Sequence, residues 1–149
     1  MLRALLLIGS MAAPHVRMPL SGILLSAPNM ADYKNLIAWQ EAVELTVDVY
    51  ILTKQFPQDE RFGLVSQMRR AAVSVPSNIA EGAGRYGTKD TAKFWRIARG
   101  SLQELETQMI LGERLGFVSS IACSALSGRI STVQKLLHGL IRKHESRLT

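Results

Sequence analysis

The residues of this sequence that come closest to a chemical motif are the glycines between Gly82 and Gly87. The hexapeptide GAGRYG reads GxGxxG, the pattern of a loop that holds dinucleotide phosphates at a helix N-terminus. That pattern needs a β-strand before its first glycine, whereas helical periodicity precedes Gly82. The P-loop pattern also fails, because Lys89 follows Thr88 instead of preceding it. The sequence therefore favours a helix stop and a turn at Gly82, Gly84 and Gly87, with Thr88 as the next N-cap, over a nucleotide site.

The cysteine and histidine content argues against a metal site. Cys123 is the single cysteine, so it cannot form an intramolecular disulfide, and its spacing from His15, His138 and His144 matches no metal-binding pattern. We expect Cys123 to be a buried structural thiol, with a reactive thiol as the alternative. No carboxylate pair and no nucleophile beside a base can be placed on one face. We therefore predict a non-enzymatic, cytoplasmic protein with no cofactor and no small-molecule substrate.

The charge of the chain is unevenly distributed. Eighteen Lys and Arg residues against 12 Asp and Glu residues give a formal net charge of +6, which favours polyanions as partners. Residues 30–60 hold two basic and six acidic residues, a balance of −4. Residues 69–99 hold seven basic and two acidic residues, a balance of +5. The sequence thus predicts one domain with an acidic part and a basic part.

The basic part contains a stripe at helical spacing. Lys89, Lys93 and Arg96 recur at i, i+4 and i+7, with Arg85 in the preceding loop and Arg99 nearby. We predict that these five residues bind RNA or DNA through its phosphates. No RRM, KH or zinc-finger pattern accompanies them, so sequence-specific readout is not expected.

Two further features bear on this basic stripe. Tyr86 and Trp95 are the aromatic residues that could stack on bases there. A second basic group lies in the last predicted helix and consists of Lys135, Arg142, Lys143 and Arg147. The alternative is a solvated surface that also complements the acidic helix of another subunit, in which case the protein is a structural interaction module.

A line of polar residues follows the predicted second helix. Its members are Arg70, Ser74, Ser77 and Glu81, with Asn78 at the border. Small hydroxyl groups let another backbone approach closely, so this line is a candidate subunit interface or structural stripe, with a solvated face as the alternative. On the third helix, Glu104 lies in a partly apolar strip. We expect its carboxylate to form an ion pair with a basic residue such as Arg70 or to accept hydrogen bonds from the backbone, with a solvated glutamate at the edge of the strip as the alternative.

Four amphipathic helices position these residues, since no segment after Met30 alternates apolar and polar residues as a strand does. The predicted helices run from about Leu36 to Lys54, from Gln58 to about Glu81, from about Lys89 to Leu115, and onwards from Ser119 or Ser120. Pro76 predicts a kink or a local break in the second helix, and Gly116 ends the third. Such helices with short loops predict an all-α, antiparallel up-and-down four-helix bundle.

The predicted first helix is apolar around more of its circumference than one bundle buries. One apolar stripe consists of Leu36, Trp39, Val43, Val47 and Tyr50. A nearly opposite stripe consists of Ala38, Ala42, Leu45, Val49 and Leu52. Packing on a single core requires an apolar arc of only about 100°. We therefore expect this helix to have two neighbours and copies of the chain to associate.

The first 29 residues differ from the remainder. They contain no acidic residue, three prolines, and apolar residues without a helical period. The apolar run from Ala4 to Ile8 is shorter than the roughly 7–15 residues of a signal-peptide core and far too short to span a membrane. We predict that residues 1–29 are a disordered extension or follow from a start codon assigned too early, with a secretion signal or a functional arm as alternatives. The bundle domain then occupies residues 30–149.

Several segments resemble one bacterial protein family. They are WQEA from Trp39, FP from Phe56, QMRRAAVSVPSNIAEG from Gln67 and GSLQELET from Gly100. Over about Tyr33 to Val118 the chain resembles the four-helix bundle proteins encoded in intervening sequences of 23S ribosomal RNA genes, whereas residues 1–29 have no counterpart there. The resemblance implies a homopentameric ring. It also implies kinship with the accessory variability proteins of diversity-generating retroelements, which are basic and associate with nucleic acid.

Overall fold

Four helices account for most of the described residues. The computed structural model describes residues 32–85 and 88–147. Within these ranges α1 comprises Ile37–Leu52, α2 Leu64–Ala83, α3 Thr88–Arg114 and α4 Ser120–Glu145, with short 3₁₀ turns at Tyr33–Asn35, Thr53–Gln55 and Gln58–Arg61. The described ranges contain no strand, so the predicted all-α class is confirmed. The predicted extension, residues 1–29, lies outside the described residues.

A single hydrophobic core lies between the four helices. Each helix contacts the next one along the chain, and α4 also contacts α1, so the four helices form a bundle. Fully buried side chains come from every helix, for example Leu45, Ile79, Leu105 and Ile130. The second apolar stripe predicted for α1 is buried in this core: Ala38, Ala42, Leu45, Val49 and Leu52. Burying a large aliphatic side chain stabilises the fold by roughly 1.5–3 kcal/mol.

Helix α2 continues through Pro76, which excludes the local break, whereas the alternative of a kink stays a prediction. Proline has no N–H to donate to the carbonyl oxygen of Ala72, four residues earlier. The Thr46 hydroxyl of α1 lies 3.0 Å from this oxygen and 2.8 Å from the carbonyl oxygen of Ala42 in its own helix. The single hydroxyl hydrogen of Thr46 is shared between the Ala42 carbonyl and, across the α1–α2 interface, the Ala72 carbonyl, whose usual helical donor is missing.

Helix α2 begins at Leu64 and not at Gln58 as predicted. Residues 58–61 form a separate 3₁₀ turn, and Gly63 precedes the first residue of the α-helix. The Glu60 carboxylate accepts a hydrogen bond of 2.9 Å from the backbone N–H of Leu64. The acidic residue thus complements the N-terminus of α2 as expected, although it does so from outside the helix.

The connection between α3 and α4 has the predicted capping residues. Gly116 has a φ of +77°, in the left-handed region, and Phe117 N–H donates to the Gly112 carbonyl over 2.9 Å. This arrangement is typical of a glycine that ends a helix. Ser119 caps α4, because its hydroxyl oxygen accepts a hydrogen bond of 3.3 Å from Ala122 N–H. Gly116 therefore determines where α3 ends, and Ser119 determines where α4 begins.

Candidate nucleic-acid interface

The glycine cluster ends α2 and also allows α3 to approach it. Gly82 lies inside α2, so its interpretation as the helix stop is wrong. A Cβ atom at Gly82 would lie 2.7 Å from the indole ring of Trp95, whose Nε1–H donates to the Ile79 carbonyl over 3.1 Å. Gly84 is the C-cap residue of α2, whereas Gly87 lies outside the described residues. Position 82 thus needs glycine for close helix packing.

Trp95, one of the two aromatic residues near the basic stripe that could have stacked on a base, is not available for it. Only 2% of its surface is exposed, and the imidazole ring of His144 packs edge-on against it at a centroid distance of 5.4 Å. Tyr86, the other predicted stacking residue, lies outside the described residues. Trp95 therefore adds no stacking surface to the basic residues of α3.

All five predicted nucleic-acid-binding residues are exposed, and two of them have ion-pair partners. Arg85 pairs with Glu81 at the end of α2, and its guanidinium lies 4.8 Å from the ring centroid of Phe94. Arg96 pairs with Glu145 of α4. Exposed ion pairs of this kind contribute only about 0–1 kcal/mol, so a phosphate group is able to replace either carboxylate.

The other three, Lys89, Lys93 and Arg99, have no ion-pair partner within the described ranges. Lys89 and Lys93 are four residues apart in α3 and therefore lie on the same face of the helix. The exposed Asp90 lies next to Lys89 and one turn before Lys93 but forms no ion pair with either of them.

Arg99 also lines an open groove between α3 and α4. We call it the α3–α4 groove; its lining residues are Arg99, Gln103, Gln134, Lys135 and His138, and its volume is about 500 Å³. The sequence assigns Lys135 to a separate basic group and gives His138 no binding role. Helical spacing shows which residues share a face of one helix, but it does not show which faces of two helices meet. The signal in the sequence that could have indicated this groove is the group of polar residues Gln134, Lys135 and His138 on α4.

The polar line on α2 is used partly within the chain. Ser74 Oγ lies 2.8 Å from Ser101 Oγ of α3, and Asn78 Nδ2 donates to both the carbonyl and hydroxyl oxygens of Ser74 over 2.8 and 3.0 Å. The small hydroxyl groups do let another backbone come close, and that backbone is α3 of the same chain. The outer members, Arg70, Ser77 and Glu81, are exposed.

Glu104 does not form the predicted pair with Arg70. The side chain is exposed, and its Oε1 accepts a hydrogen bond of 3.0 Å from Nε2 of Gln108, one turn later in α3. No basic side chain in the described part of the chain lies within ion-pair distance of Glu104. The alternative of a solvated edge glutamate is therefore the one observed.

A row of apolar side chains on α1 remains exposed. Ile37, Val47, Tyr50 and Ile51 have between 41% and 62% of their surface accessible. Trp39 and Val43, from the first predicted stripe, are half-buried. One bundle thus covers the second stripe of α1 and leaves much of the first uncovered, which is the arrangement expected from the width of its apolar arc.

Cys123 is buried in α4, as predicted. Burial raises the pKa of its thiol to about 11, with smaller contributions from a hydrogen bond to Glu113 and from the Glu113 charge. Hydrogen bonds from Ser120 and Cys123 lower the pKa of Glu113. A thiol with a raised pKa is a weak nucleophile at neutral pH, because the thiolate is the reactive species.

The described residues offer no candidate for a membrane-spanning helix or for a metal site. None of the described helices is long and apolar enough to cross a membrane. Within the same ranges, no group of three or more His, Cys, Asp or Glu side chains is placed to hold a metal ion.

Comparison with known proteins gives a family and a fold. The 23S rRNA-intervening sequence protein family matches residues 34–139 of the chain. In structure, the chain is similar to a protein of unknown function from the S23 ribosomal protein family of Bacteroides thetaiotaomicron. The similarity has a TM-score of 0.64 and 19% sequence identity, and covers 70% of this chain and 98% of that chain. At this level of sequence identity, the structural similarity shows a shared fold alone. No curated protein gives a significant match.

Proposed function

Because this chain belongs to the 23S rRNA-intervening sequence protein family, we propose that it is a non-enzymatic, nucleic-acid-binding member of that family. It binds RNA or DNA without sequence preference through Arg85, Lys89, Lys93, Arg96 and Arg99. The observation that carries this proposal is the exposure of Lys89, Lys93 and Arg99 on one helix, with no carboxylate partner within the described ranges. Each phosphate that such a residue neutralises releases counterions, which favours binding at low salt.

In the proposed active form, copies of the chain associate into a ring of five antiparallel bundles in the cytoplasm. The exposed apolar row on α1 supports association, and the family resemblance suggests the number five. Opposite directions of α3 and α4 are supported by two contacts, Arg96 with Glu145 and Glu106 with Gln134. A ring repeats the basic surface, so several weak phosphate contacts act together on one strand.

Fluorescence anisotropy with labelled generic RNA at several salt concentrations tests this proposal. We expect binding whose logarithmic affinity falls linearly with the logarithm of salt concentration, by about 0.7 per phosphate contact on a single strand. Absence of binding even at low salt would remove the proposal.

The second candidate is a structural module whose basic surface meets another protein subunit. It is favoured by the acidic residues of α1, where Glu44 is exposed and has no ion pair within the described ranges. Reversing the charge of Lys89, Lys93 and Arg96 distinguishes the two candidates. The structural module predicts loss of assembly with no effect on nucleic acid, whereas nucleic-acid binding predicts loss of RNA affinity in a protein that still assembles.

A further inference from the structure

We propose that the α3–α4 groove is a phosphate-binding site that holds the phosphodiester backbone of a nucleic acid between Arg99 and Lys135. The inference rests on the proposed function and deepens it, because it moves the centre of binding from the N-terminal turns of α3 to a concave surface between two helices. RNA and DNA share the chemistry that this site recognises.

The lining of the groove suits an anion that accepts several hydrogen bonds. The Arg99 guanidinium has five N–H donors and the Lys135 ammonium has three, and both side chains are exposed. Neither residue forms an ion pair within the part of the chain that the structure describes. Gln103 adds a neutral amide donor, and no carboxylate lines the groove. Two cations from different helices thus face one concave space without a counterion.

Two carboxylates are close to this groove. On one side Glu145 of α4 is paired with Arg96, and on the other Glu106 of α3 accepts a hydrogen bond of 3.4 Å from Gln134. Positions 96 and 106 are about 15 Å apart along α3 at 1.5 Å per residue. Arg99 lies between these two positions on α3, and Lys135 lines the same groove from α4.

The lining of the groove also bears on whether the site distinguishes one base from another. Its lining contains no Phe, Tyr or Trp side chain on which a base could stack. The neighbouring Trp95 is buried, as described above. Recognition by this site is therefore of the backbone, and oligouridine and oligoadenosine are expected to bind with similar affinity.

Three charge-matched double variants test the inference in the full chain. R99Q/K135Q removes both groove cations, K89Q/K93Q removes two cations from the N-terminal turns of α3, and K34Q/K54Q removes two exposed lysines from the acidic part as a control. Affinity is measured by anisotropy with fluorescein-labelled oligouridine and oligothymidine over a salt series, and circular dichroism checks folding of each variant.

We expect R99Q/K135Q to lose more affinity than K89Q/K93Q and to reduce the salt slope by about 1.4, two contacts at roughly 0.7 each. K34Q/K54Q is expected to bind like the wild-type protein. If the wild-type protein binds and R99Q/K135Q loses no more affinity than K89Q/K93Q, the groove proposal is overturned while the proposed function stands. If the wild-type protein binds neither oligonucleotide, both proposals are overturned.

Discussion

At position 82 only a hydrogen atom fits between α2 and the indole of Trp95. A methyl group there would lie 2.7 Å from the indole and 3.0 Å from the Thr91 carbonyl oxygen, so the Gly82→Ala substitution must push α3 away from α2. We expect this substitution to lower the free energy of unfolding by about 1–3 kcal/mol, the usual effect of overpacking a core. Urea denaturation measures the change.

Gly100→Ala is the matched control for this prediction. Gly100 lies in α3, and a Cβ atom there would have no neighbour within 4 Å. Alanine in a helix is favoured over glycine by about 0.5–1 kcal/mol, so this variant should be more stable than the wild-type protein. The packing account of Gly82 fails if both substitutions stabilise the protein.

The Cys123 thiol is expected to react slowly until the solution is strongly basic. Its pKa is raised to about 11 in the folded chain, whereas an unfolded cysteine has a pKa of about 8.5. The rate of alkylation by iodoacetamide should therefore still be rising at about pH 10 in the folded protein and should level off earlier in urea. The folded state retains the proton longer, so stability falls as the pH rises from the unfolded pKa towards the folded one.

Glu113→Gln supplies the control for the cysteine prediction. The variant removes the carboxylate charge that contributes to the raised pKa, so its alkylation profile should shift to lower pH without reaching that of the unfolded chain. A wild-type profile that levels off near pH 8.5 would show that the thiol is accessible and unperturbed.

At the scale of elements, Thr46 and Pro76 depend on each other. The Thr46 hydroxyl donates to the Ala72 carbonyl that Pro76 cannot serve. Thr46→Val should lower the free energy of unfolding by about 1–3 kcal/mol, because it leaves that carbonyl without a donor. In a Pro76→Ala background the alanine N–H becomes the donor, so Thr46→Val should have a smaller effect. A double-mutant cycle by urea denaturation measures this coupling, and additive effects would contradict it.

Some features of the helices follow from the sequence alone, and others depend on contacts between helices. The buried stripe of α1, the ends set by Gly116 and Ser119, and the helical class follow from periodicity and capping, which are local properties. The continuity of α2 at Pro76 does not, because the compensating hydroxyl comes from another helix. Contacts between helices likewise determine the burial of Trp95, which the sequence alone left as a residue that could stack on a base.

The candidate site shows the same division. The exposure of the basic residues on α3 follows from the polar spacing of one helix. Their pairing does not, since Arg96 meets Glu145 only because α3 packs against α4. The juxtaposition of Arg99 with Lys135 also requires knowledge of which helix faces meet.

At the scale of the whole molecule, the exposed apolar row on α1 is expected to drive association. Val47 and Ile51 are one turn apart on α1 and about half of each side chain is exposed. Replacing both by lysine adds charge to this row without touching the buried stripe, so it should produce a single folded subunit. Light scattering measures the mass, and unchanged circular dichroism shows that the helices remain.

Ile121→Lys is the control for association. Ile121 is an exposed apolar residue at the start of α4, outside the row on α1. This variant should assemble as the wild-type protein does. If the Val47 and Ile51 double variant also keeps the wild-type mass, the apolar row is not the contact between copies.

The most direct test of the account is sedimentation velocity of the full chain with fluorescein-labelled oligouridine, followed by both protein and fluorescein absorbance. The account predicts that the RNA sediments together with a protein species several times the mass of one chain, which is 16.5 kDa, and about five times that mass for the proposed ring. A protein that sediments as a single 16.5 kDa chain while the RNA sediments alone would contradict both the assembly and the binding.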